Sequence, residues 1–303
     1  MNIPLPAATT KPAARQDTGP LKIFHPAEFG ANLAFIQRSQ SCLKTSLAEC
    51  DLIIFPELLH ARKDTEKMLR EISEQYKTCH RKVLVFVLND YEERYRPHDN
   101  LIVARTSVRA SKLRANEIVL PYVWESPAGT FSPSAPTSLP QVGFCGLVSK
   151  HRKALIKAFT QSLEVRCDLI IRDKFWGGNP HDPKLVEDYY RNLERNQYIL
   201  CNRGAGNFSI RFYQTLASRR IPVLVNTDLS LPFQDRIPWH ELIVLGKNEK
   251  DCLSRVLEIH QSKKYLEMQN RCQDTFDRFF STRQYFDRLA EELRENHLPR
   301  RQI

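Results

Sequence analysis

The side chains best suited to binding an anionic ligand lie within residues 198–239. Arg203 and Arg211 carry guanidinium groups, which can donate paired hydrogen bonds to phosphate oxygens. Ser209 adds a hydroxyl donor, and either Asn207 or Ser209 is expected to cap the helix that follows. Because a helix N-terminus presents free N–H groups and the positive end of its dipole, we expect the anion to bind there. The residue types alone fit equally well a capped helix whose arginines face water.

A glycine turn between two apolar runs predicts the elements that position these side chains. Residues 198–201 predict a buried strand, and residues 221–225 predict a second one. Gly204 and Gly206 lie in the turn after the first strand, where glycine permits positive φ and a close approach of the backbone to a ligand. A helix is predicted between the turn and the second strand. This order of elements is half of a nucleotide-binding α/β layer.

The order of residues across this stretch resembles the exostosin-type glycosyltransferases (glycosyltransferase family 47 type), which include the heparan-sulfate polymerases and many plant cell-wall transferases. The matching residues, in chain order, are Tyr198, Arg203-Gly204, Ser209, Arg211, Leu216, Ile221-Pro222-Val223, Leu231-Pro232-Phe233 and Trp239. Where the family has a Glu that hydrogen-bonds the donor ribose, this chain has Gln214. A glutamine amide can still donate and accept hydrogen bonds, but the substitution puts donor preference or activity in question.

This resemblance implies an α/β chain of GT-B fold, with two Rossmann-like parallel-sheet domains facing a cleft and C-terminal helices crossing back. It implies an inverting glycosyltransferase that moves a sugar from a nucleotide-diphosphate sugar, expected to be a UDP-sugar, to a hydroxyl of a glycan or polysaccharide acceptor. The implied nucleotide-sugar site comprises Arg152, Arg203, Asn207, Ser209, Arg211 and Gln214. Two alternatives stay open: a fucosyltransferase-like GT-B enzyme that uses a GDP-sugar, and a catalytically silent binding protein of the same fold.

Composition and periodicity divide the chain into five parts. The predicted parts are a disordered tail at 1–20, a first α/β domain at 21–124, a Pro-rich linker at 125–140, a second domain at 141–280 and a C-terminal helix at 281–303. The resemblance implies that the first domain binds the acceptor, that the second binds the nucleotide sugar, and that the C-terminal helix packs back on the first domain. Between the second-domain strands, residues 172–180 predict a long loop with an exposed aromatic pair, Phe175 and Trp176.

Alternating strands and helices predict a parallel sheet in the first domain. Residues 30–47 and 63–76 have helical spacing, and residues 51–55 and 82–88 are continuous apolar runs typical of strands buried on both faces. Further strands are predicted at 21–24, 101–104 and 117–120.

The candidate catalytic bases are carboxylates that follow first-domain strands. Glu57 comes after the predicted strand at 51–55, and Asp90 comes after the one at 82–88. Ligands of such sheets collect at the carboxyl ends of the strands, and the resemblance implies an acceptor-side base. We therefore expect Asp90, which also matches an Asp position of the family, to be the base, with Glu57 the second candidate. His98, in a nearby loop beside Asp99, is a weaker one.

Composition indicates what kind of partner the protein binds and in which cellular compartment it works. The net charge of +10 calls for an anionic partner, yet no run of basic residues with interleaved aromatics indicates nucleic acid. Eight scattered cysteines without a C-x-x-C pair indicate a reducing compartment, so we expect a cytoplasmic protein. Neither a signal peptide nor a membrane-spanning stretch is predicted, and Pro299-Arg300-Arg301 suggests peripheral contact with an anionic membrane. No Asp-x-Asp triplet is present, so we expect neither a metal nor another cofactor.

Overall fold

The sheet of the first domain has six parallel strands within the described part of the chain, in the order β2-β1-β3-β4-β5-β6. The computed structural model describes residues 19–60, 62–122 and 131–298. The strands are β1 (Leu21–Phe24), β2 (Cys42–Lys44), β3 (Leu52–Leu59), β4 (Lys82–Val87), β5 (Leu101–Arg105) and β6 (Glu117–Val119). Helix α1 (Arg62–Gln75) connects β3 to β4, and 3-10 helices span Ala31–Arg38 and Ala110–Lys112. Strands β4 and β5 are apolar and buried because central parallel strands are covered on both faces.

The long helix expected at 30–47 is wrong. The helical segment is of the 3-10 type and ends at Arg38, after which the chain forms the edge strand β2. Leu43, which the helical spacing placed in the core, is half exposed. The carboxylate of Asp287, from the C-terminal helix, accepts hydrogen bonds from residues 39–41 and thereby fixes the chain where the helix stops.

Two candidate bases, Glu57 and His98, do not follow the carboxyl end of a first-domain strand. Strand β3 continues to Leu59 with a register shift between Ile54 and Leu58, so Glu57 lies in an irregular part of the strand rather than after its end. Its side chain is exposed. His98 precedes β5 and therefore lies at the amino edge of the sheet, opposite the edge where ligands collect.

The second domain has five parallel strands, in the order β11-β10-β9-β7-β8. The strands are β7 (Gln141–Leu147), β8 (Arg166–Arg172), β9 (Tyr198–Leu200), β10 (Ile221–Val225) and β11 (Val244–Gly246). The helices are α2 (Lys150–Thr160), α3 (Pro183–Arg195), α4 (Ile210–Ala217), α5 (Glu249–Gln261), α6 (Tyr265–Phe279) and α7 (Tyr285–Asn296), with 3-10 turns at Phe175–Gly178 and Trp239–Glu241. From β7 the chain runs outward to β8 and then returns to β9 on the other side. The strand order thus reverses between β7 and β9, which is where open α/β sheets bind ligands.

Helix α7 leaves the second domain and packs on the first. The ring of Phe35 lies 5.4 Å from that of Tyr285 and 6.3 Å from that of Phe286. Arg294 also donates a hydrogen bond of 2.8 Å to the carbonyl of Gly19. The predicted fold class is confirmed: two Rossmann-like parallel-sheet domains with a C-terminal helix crossing back, the GT-B arrangement.

The described part of the Pro-rich segment, residues 131–140, runs along the second domain. Its backbone is hydrogen-bonded by four buried side chains of that domain, Gln197, Arg220, His260 and Gln269. The remainder of the predicted linker up to residue 130, residues 1–18 of the predicted tail and the terminal Pro299-Arg300-Arg301 lie outside the described residues. Within the described ranges, no helix is both long and apolar enough to cross a bilayer.

Candidate active site

The carboxyl edges of the two sheets meet face to face. Ser107, which follows β5, accepts a hydrogen bond of 2.9 Å at its Oγ from the backbone N–H of Asn207, which follows β9. Tyr122, which follows β6, stacks on Phe208 with ring centroids 5.5 Å apart. The edge at which each sheet should bind ligands therefore lies against the corresponding edge of the other sheet.

Arg211 reaches from the first turn of α4 to the carboxyl ends of β7 and β9. Its Nη2 donates to the carbonyl of Cys145 at 2.6 Å and its Nη1 to that of Leu200 at 3.4 Å. The guanidinium carbon lies 4.5 Å from the ring centroid of Phe144. The residue is only 8% exposed, and its buried Nε has no hydrogen-bond partner in the described structure.

Arg152 lies in the first turn of α2 and approaches the same ring. Its Nη1 donates to the carbonyl of Leu147 at 2.9 Å and its Nε to that of Asn202 at 3.2 Å, and its guanidinium lies 6.0 Å from the centroid of Phe144. Burial, and after it the positive charge of Arg211, lower the pKa of Arg152 to about 10.

Neither Arg152 nor Arg211 forms an ion pair with a carboxylate of the described residues. Buried charges are normally paired, because desolvation disfavours an isolated charge. Gly146, with φ +143°, provides the close approach, since a Cβ at that position would lie 2.7 Å from Arg211 Nη2. Two unpaired guanidinium groups beside the N-terminus of α4, at the β7/β9 reversal, form a site with the chemistry of a diphosphate receptor.

Arg203, by contrast, already has an anionic partner. Both of its terminal nitrogens donate to the carboxylate of Glu92, from the loop after β4, with Nη1 at 3.1 Å from Oε2. Arg109 donates to the same carboxylate at 2.9 Å. Burial raises the pKa of Glu92, but the hydrogen bonds and charges of Arg203 and Arg109 outweigh it, and the net pKa lies below the usual value. Sequence reasoning missed Glu92, because its only local signal is its position five residues after β4.

Ser209, not Asn207, occupies the N-cap position of α4. Its side chain makes no capping hydrogen bond. The Asn207 amide is committed elsewhere: its Nδ2 donates to the carbonyls of Val108, Thr227 and Asp228 at 3.1–3.3 Å. Asn207 thus joins the two domains, whereas the Ser209 hydroxyl remains available at the helix N-terminus.

Gln214 is buried one turn after Arg211 on α4. Its Oε1 accepts a hydrogen bond of 2.6 Å from the hydroxyl of Tyr189 on α3. Tyr189 was not among the sequence candidates. It is a partly buried residue, and desolvation raises the pKa of its hydroxyl well above the ordinary value. Gln214, which occupies the position where exostosin-type transferases have a Glu, is therefore held in place by a hydrogen bond from α3.

Asp90 lies where the first domain faces the glycine turn of the second. Its Oδ1 would be 2.7 Å from a Cβ placed on Gly206, so this approach requires a glycine. Burial, together with the charge of Asp90, raises the pKa of Tyr122 to about 12. Asp90 is exposed on its other side. Of the two carboxylates, Asp90 approaches the glycine turn of the second domain, whereas Glu57 is an exposed residue inside β3.

A small cavity separates the sheets beside these residues. It is lined from the first domain by Thr106 and Val119 and from the second by residues that include Arg203, Ser209 and Tyr213. It has room for about one water molecule, which is far less than a nucleotide sugar needs. The described residues contain no group of three or more His, Cys, Asp or Glu side chains arranged to hold a metal ion.

Comparison with known proteins finds partial likeness to plant transferases. No family model matches the chain. It is 36% identical over 58 residues to the probable glucuronosyltransferase GUT1 of Oryza sativa subsp. japonica, which is 19% of this chain and 14% of that protein. It is 38% identical over 63 residues to the probable beta-1,4-xylosyltransferase IRX10 of Arabidopsis thaliana, which is 21% of this chain and 15% of that protein. The likeness therefore covers about a fifth of this chain and only 14% and 15% of the two relatives.

Among solved structures, the chain is similar to Anabaena HepE in complex with UDP-glucose. The match has a TM-score of 0.42 and 12% sequence identity, and it covers 90% of this chain and 99% of that one.

Proposed function

We propose that this chain is a glycosyltransferase that moves a sugar from a nucleotide-diphosphate sugar, in the first place a UDP-sugar, to a hydroxyl of a glycan or polysaccharide. The observation that carries the proposal is the pair of buried Arg211 and half-buried Arg152, for which the described residues supply carbonyl oxygens and the Phe144 ring as partners but no carboxylate. The partial likeness to plant glucuronosyl- and xylosyltransferases supports the reaction class.

In this proposal the donor diphosphate binds between Arg152 and Arg211 and accepts hydrogen bonds from Ser209 and the N-terminus of α4. Gln214 faces the ribose. As the bond between the sugar and the diphosphate breaks, negative charge accumulates on the leaving phosphate. Guanidinium groups already in position stabilise that charge more than they stabilise the ground state.

The proposed reaction is a single displacement with inversion at the anomeric carbon. The acceptor oxygen attacks that carbon, Asp90 takes the hydroxyl proton, and the electron pair of the broken carbon–oxygen bond stays with the diphosphate. A positioned base typically contributes a factor of about 10²–10⁴. The carboxyl edges of the two sheets touch through Ser107 and Asn207 and through Tyr122 and Phe208, so in this proposal the domains separate to admit the substrates. Arg203 would then exchange Glu92 for a donor phosphate.

Calorimetric titration with UDP and GDP tests the donor site. We expect wild-type protein to bind one of the two, UDP in the first place, and Arg211→Ala to lose about 2–4 kcal/mol of transition-state stabilisation in a transfer assay. Arg255→Ala is the matched control, since Arg255 is a surface arginine of the same domain paired with Asp251. Binding of GDP alone would favour a GDP-sugar enzyme. Binding of neither, or unchanged transfer by Arg211→Ala, would overturn the proposal.

The base is tested by Asp90→Asn. We expect this variant to bind UDP as the wild type does and to lose transfer by a factor of about 100 or more. If Asp90→Asn keeps its activity and Glu57→Gln does not, the role passes to Glu57. Normal UDP binding without transfer to any acceptor would instead favour a binding protein of the same fold.

We further propose that the protein works in a reducing compartment such as the cytoplasm. All eight cysteines are unpaired thiols, and five of them are buried. Unpaired thiols are usual where disulfides are kept reduced.

A further inference from the structure

The loop between β8 and α3 presents two aromatic side chains to solvent. Phe175 is 63% exposed and Trp176 is 46% exposed, within the 3-10 turn Phe175–Gly178. This turn follows the carboxyl end of β8 and packs against β7. The exposed pair therefore lies at the same edge of the sheet as Arg152 and Arg211.

The backbone of this turn has an unusual conformation and packs directly on α3. Trp176 has φ +55°, a left-handed conformation that bulky side chains rarely adopt, and Gly177 follows with φ +67°. A Cβ on Gly177 would lie 2.8 Å from Cδ1 of Leu185, so the turn rests directly on α3. Arg172 anchors the same place by donating from Nη2 to the carbonyl of Leu185 at 2.7 Å. Observed backbone outliers of this kind cluster at ligand sites.

A continuous set of contacts joins the turn to the arginine site. Leu185 and Tyr189 are one turn apart on the same face of α3. Tyr189 hydrogen-bonds Gln214, which lies one turn after Arg211 on α4. Strand β7 lies between the two sites as well: Arg211 donates to the carbonyl of its residue Cys145, and its residue Leu147 pairs with Arg172 of β8.

We propose that Phe175 and Trp176 form the stacking platform for the nucleobase of the nucleotide whose diphosphate binds at Arg152 and Arg211. This inference rests on the proposed function and assigns the part of the donor that the arginines do not contact. A nucleobase is flat and has two π faces, and aromatic side chains bind such faces with little dependence on sequence. The ribose bridges from the platform to the phosphates past Gln214.

The test compares UDP with inorganic pyrophosphate, which has the anionic group but no base. Both are titrated into wild-type protein, Trp176→Ala and Phe175→Ala by calorimetry. We expect each substitution to weaken UDP binding about tenfold, within the range known for one stacked base, and to leave pyrophosphate binding unchanged. Leu163→Ala is the control, because Leu163 is 95% exposed and precedes the amino end of β8, at the opposite edge.

Each outcome separates this inference from the function on which it rests. If wild-type protein binds neither UDP nor pyrophosphate, the proposed function fails. If it binds both but Trp176→Ala binds UDP normally, or weakens UDP and pyrophosphate equally, the stacking platform alone is overturned. It is also overturned if Trp176→Ala impairs only acceptor glycan binding. Trp176→Gly suits the observed φ, so it should keep the thermal midpoint and still weaken UDP binding, which excludes misfolding as the cause.

Discussion

Replacing Glu92 by Gln removes the carboxylate that joins the two domains at Arg203. The side chain of Arg203 is 9% exposed and that of Glu92 is 13% exposed. A surface ion pair contributes at most about 1 kcal/mol, whereas breaking a fully buried pair costs about 3–5 kcal/mol. Because both groups keep some contact with water and Gln retains one acceptor, we expect a loss of about 2–3 kcal/mol in the free energy of unfolding. Urea unfolding at pH 7 measures it.

The same substitution should strengthen nucleotide binding. In the wild type, a donor phosphate must displace Glu92 from Arg203, whereas in Glu92→Gln the guanidinium has no anion to give up. We expect UDP to bind about tenfold more tightly, which is about 1.4 kcal/mol. A carboxyl whose folded pKa is depressed stabilises the protein above its unfolded pKa, and that stability is lost as the pH falls through the folded pKa. The difference in stability between wild type and variant should therefore shrink as the pH falls below 4.5, the usual pKa of this group.

Glu93→Gln is the matched control for Glu92→Gln. Glu93 is the next residue, has the same side chain, and pairs with Lys112 at the surface. We expect it to change neither stability nor UDP affinity measurably. Equal effects of the two substitutions would show that the Glu92–Arg203 bridge contributes no more than a surface ion pair. Weaker UDP binding by Glu92→Gln would show instead that Glu92 holds Arg203 in place for the phosphate.

Three other perturbations follow from the same contacts. Gly206→Ala would bring a Cβ within 2.7 Å of Asp90 and 2.9 Å of Ser107, so we expect a loss of about tenfold or more in kcat. Gly30→Ala is its control, because a Cβ on Gly30 would meet nothing within 4 Å. Equal kcat values for the two variants would refute the close contact between the domains at Gly206. Glu117→Gln breaks an ion pair of 3.0 Å with Arg105 that is almost fully buried, and urea unfolding should show a loss of about 3–5 kcal/mol. Excess EDTA should leave sugar transfer intact, because arginines offset the diphosphate charge; loss of transfer with rescue by manganese would contradict this.

Much of the second domain could be predicted from the sequence because its signals are local. Strand β10 is the predicted apolar run 221–225, and β9 differs from the predicted 198–201 only at its end. A strand buried on both faces needs no partner to be recognised, since the run of apolar residues is itself the signature. Arg152 and Arg211 entered the predicted site through the family resemblance, and in the structure each lies in the first turn of a helix, α2 and α4 respectively. Their role in donor binding stays a prediction.

What could not be predicted depends on contacts between residues far apart in the chain. Glu92 and Arg203 are separated by 111 positions, and neither residue has a periodic pattern that points to the other. The resemblance placed Asn207 in the nucleotide-sugar site, and its position before a helix made it a candidate cap. In the structure, its amide hydrogen-bonds carbonyls of both domains, a contact that no local pattern indicates. The prediction of a helix at 30–47 was wrong for the same reason. The residues where the helical segment stops hydrogen-bond Asp287, which is more than 240 positions away in the chain.

Because α7 packs on the first domain, that domain cannot complete its core until the end of the chain has been synthesised. Phe35 lies between Phe86 of the first-domain sheet, at 6.0 Å, and Tyr285 of α7, at 5.4 Å. Ser39 and Asp287, which tie the same region together, are 248 residues apart. At a synthesis rate of about 5–20 residues per second, that distance is roughly 12–50 s of translation. For that interval the apolar face around Phe35 lacks its covering helix, so we expect the first domain to be prone to aggregation until α7 has been synthesised.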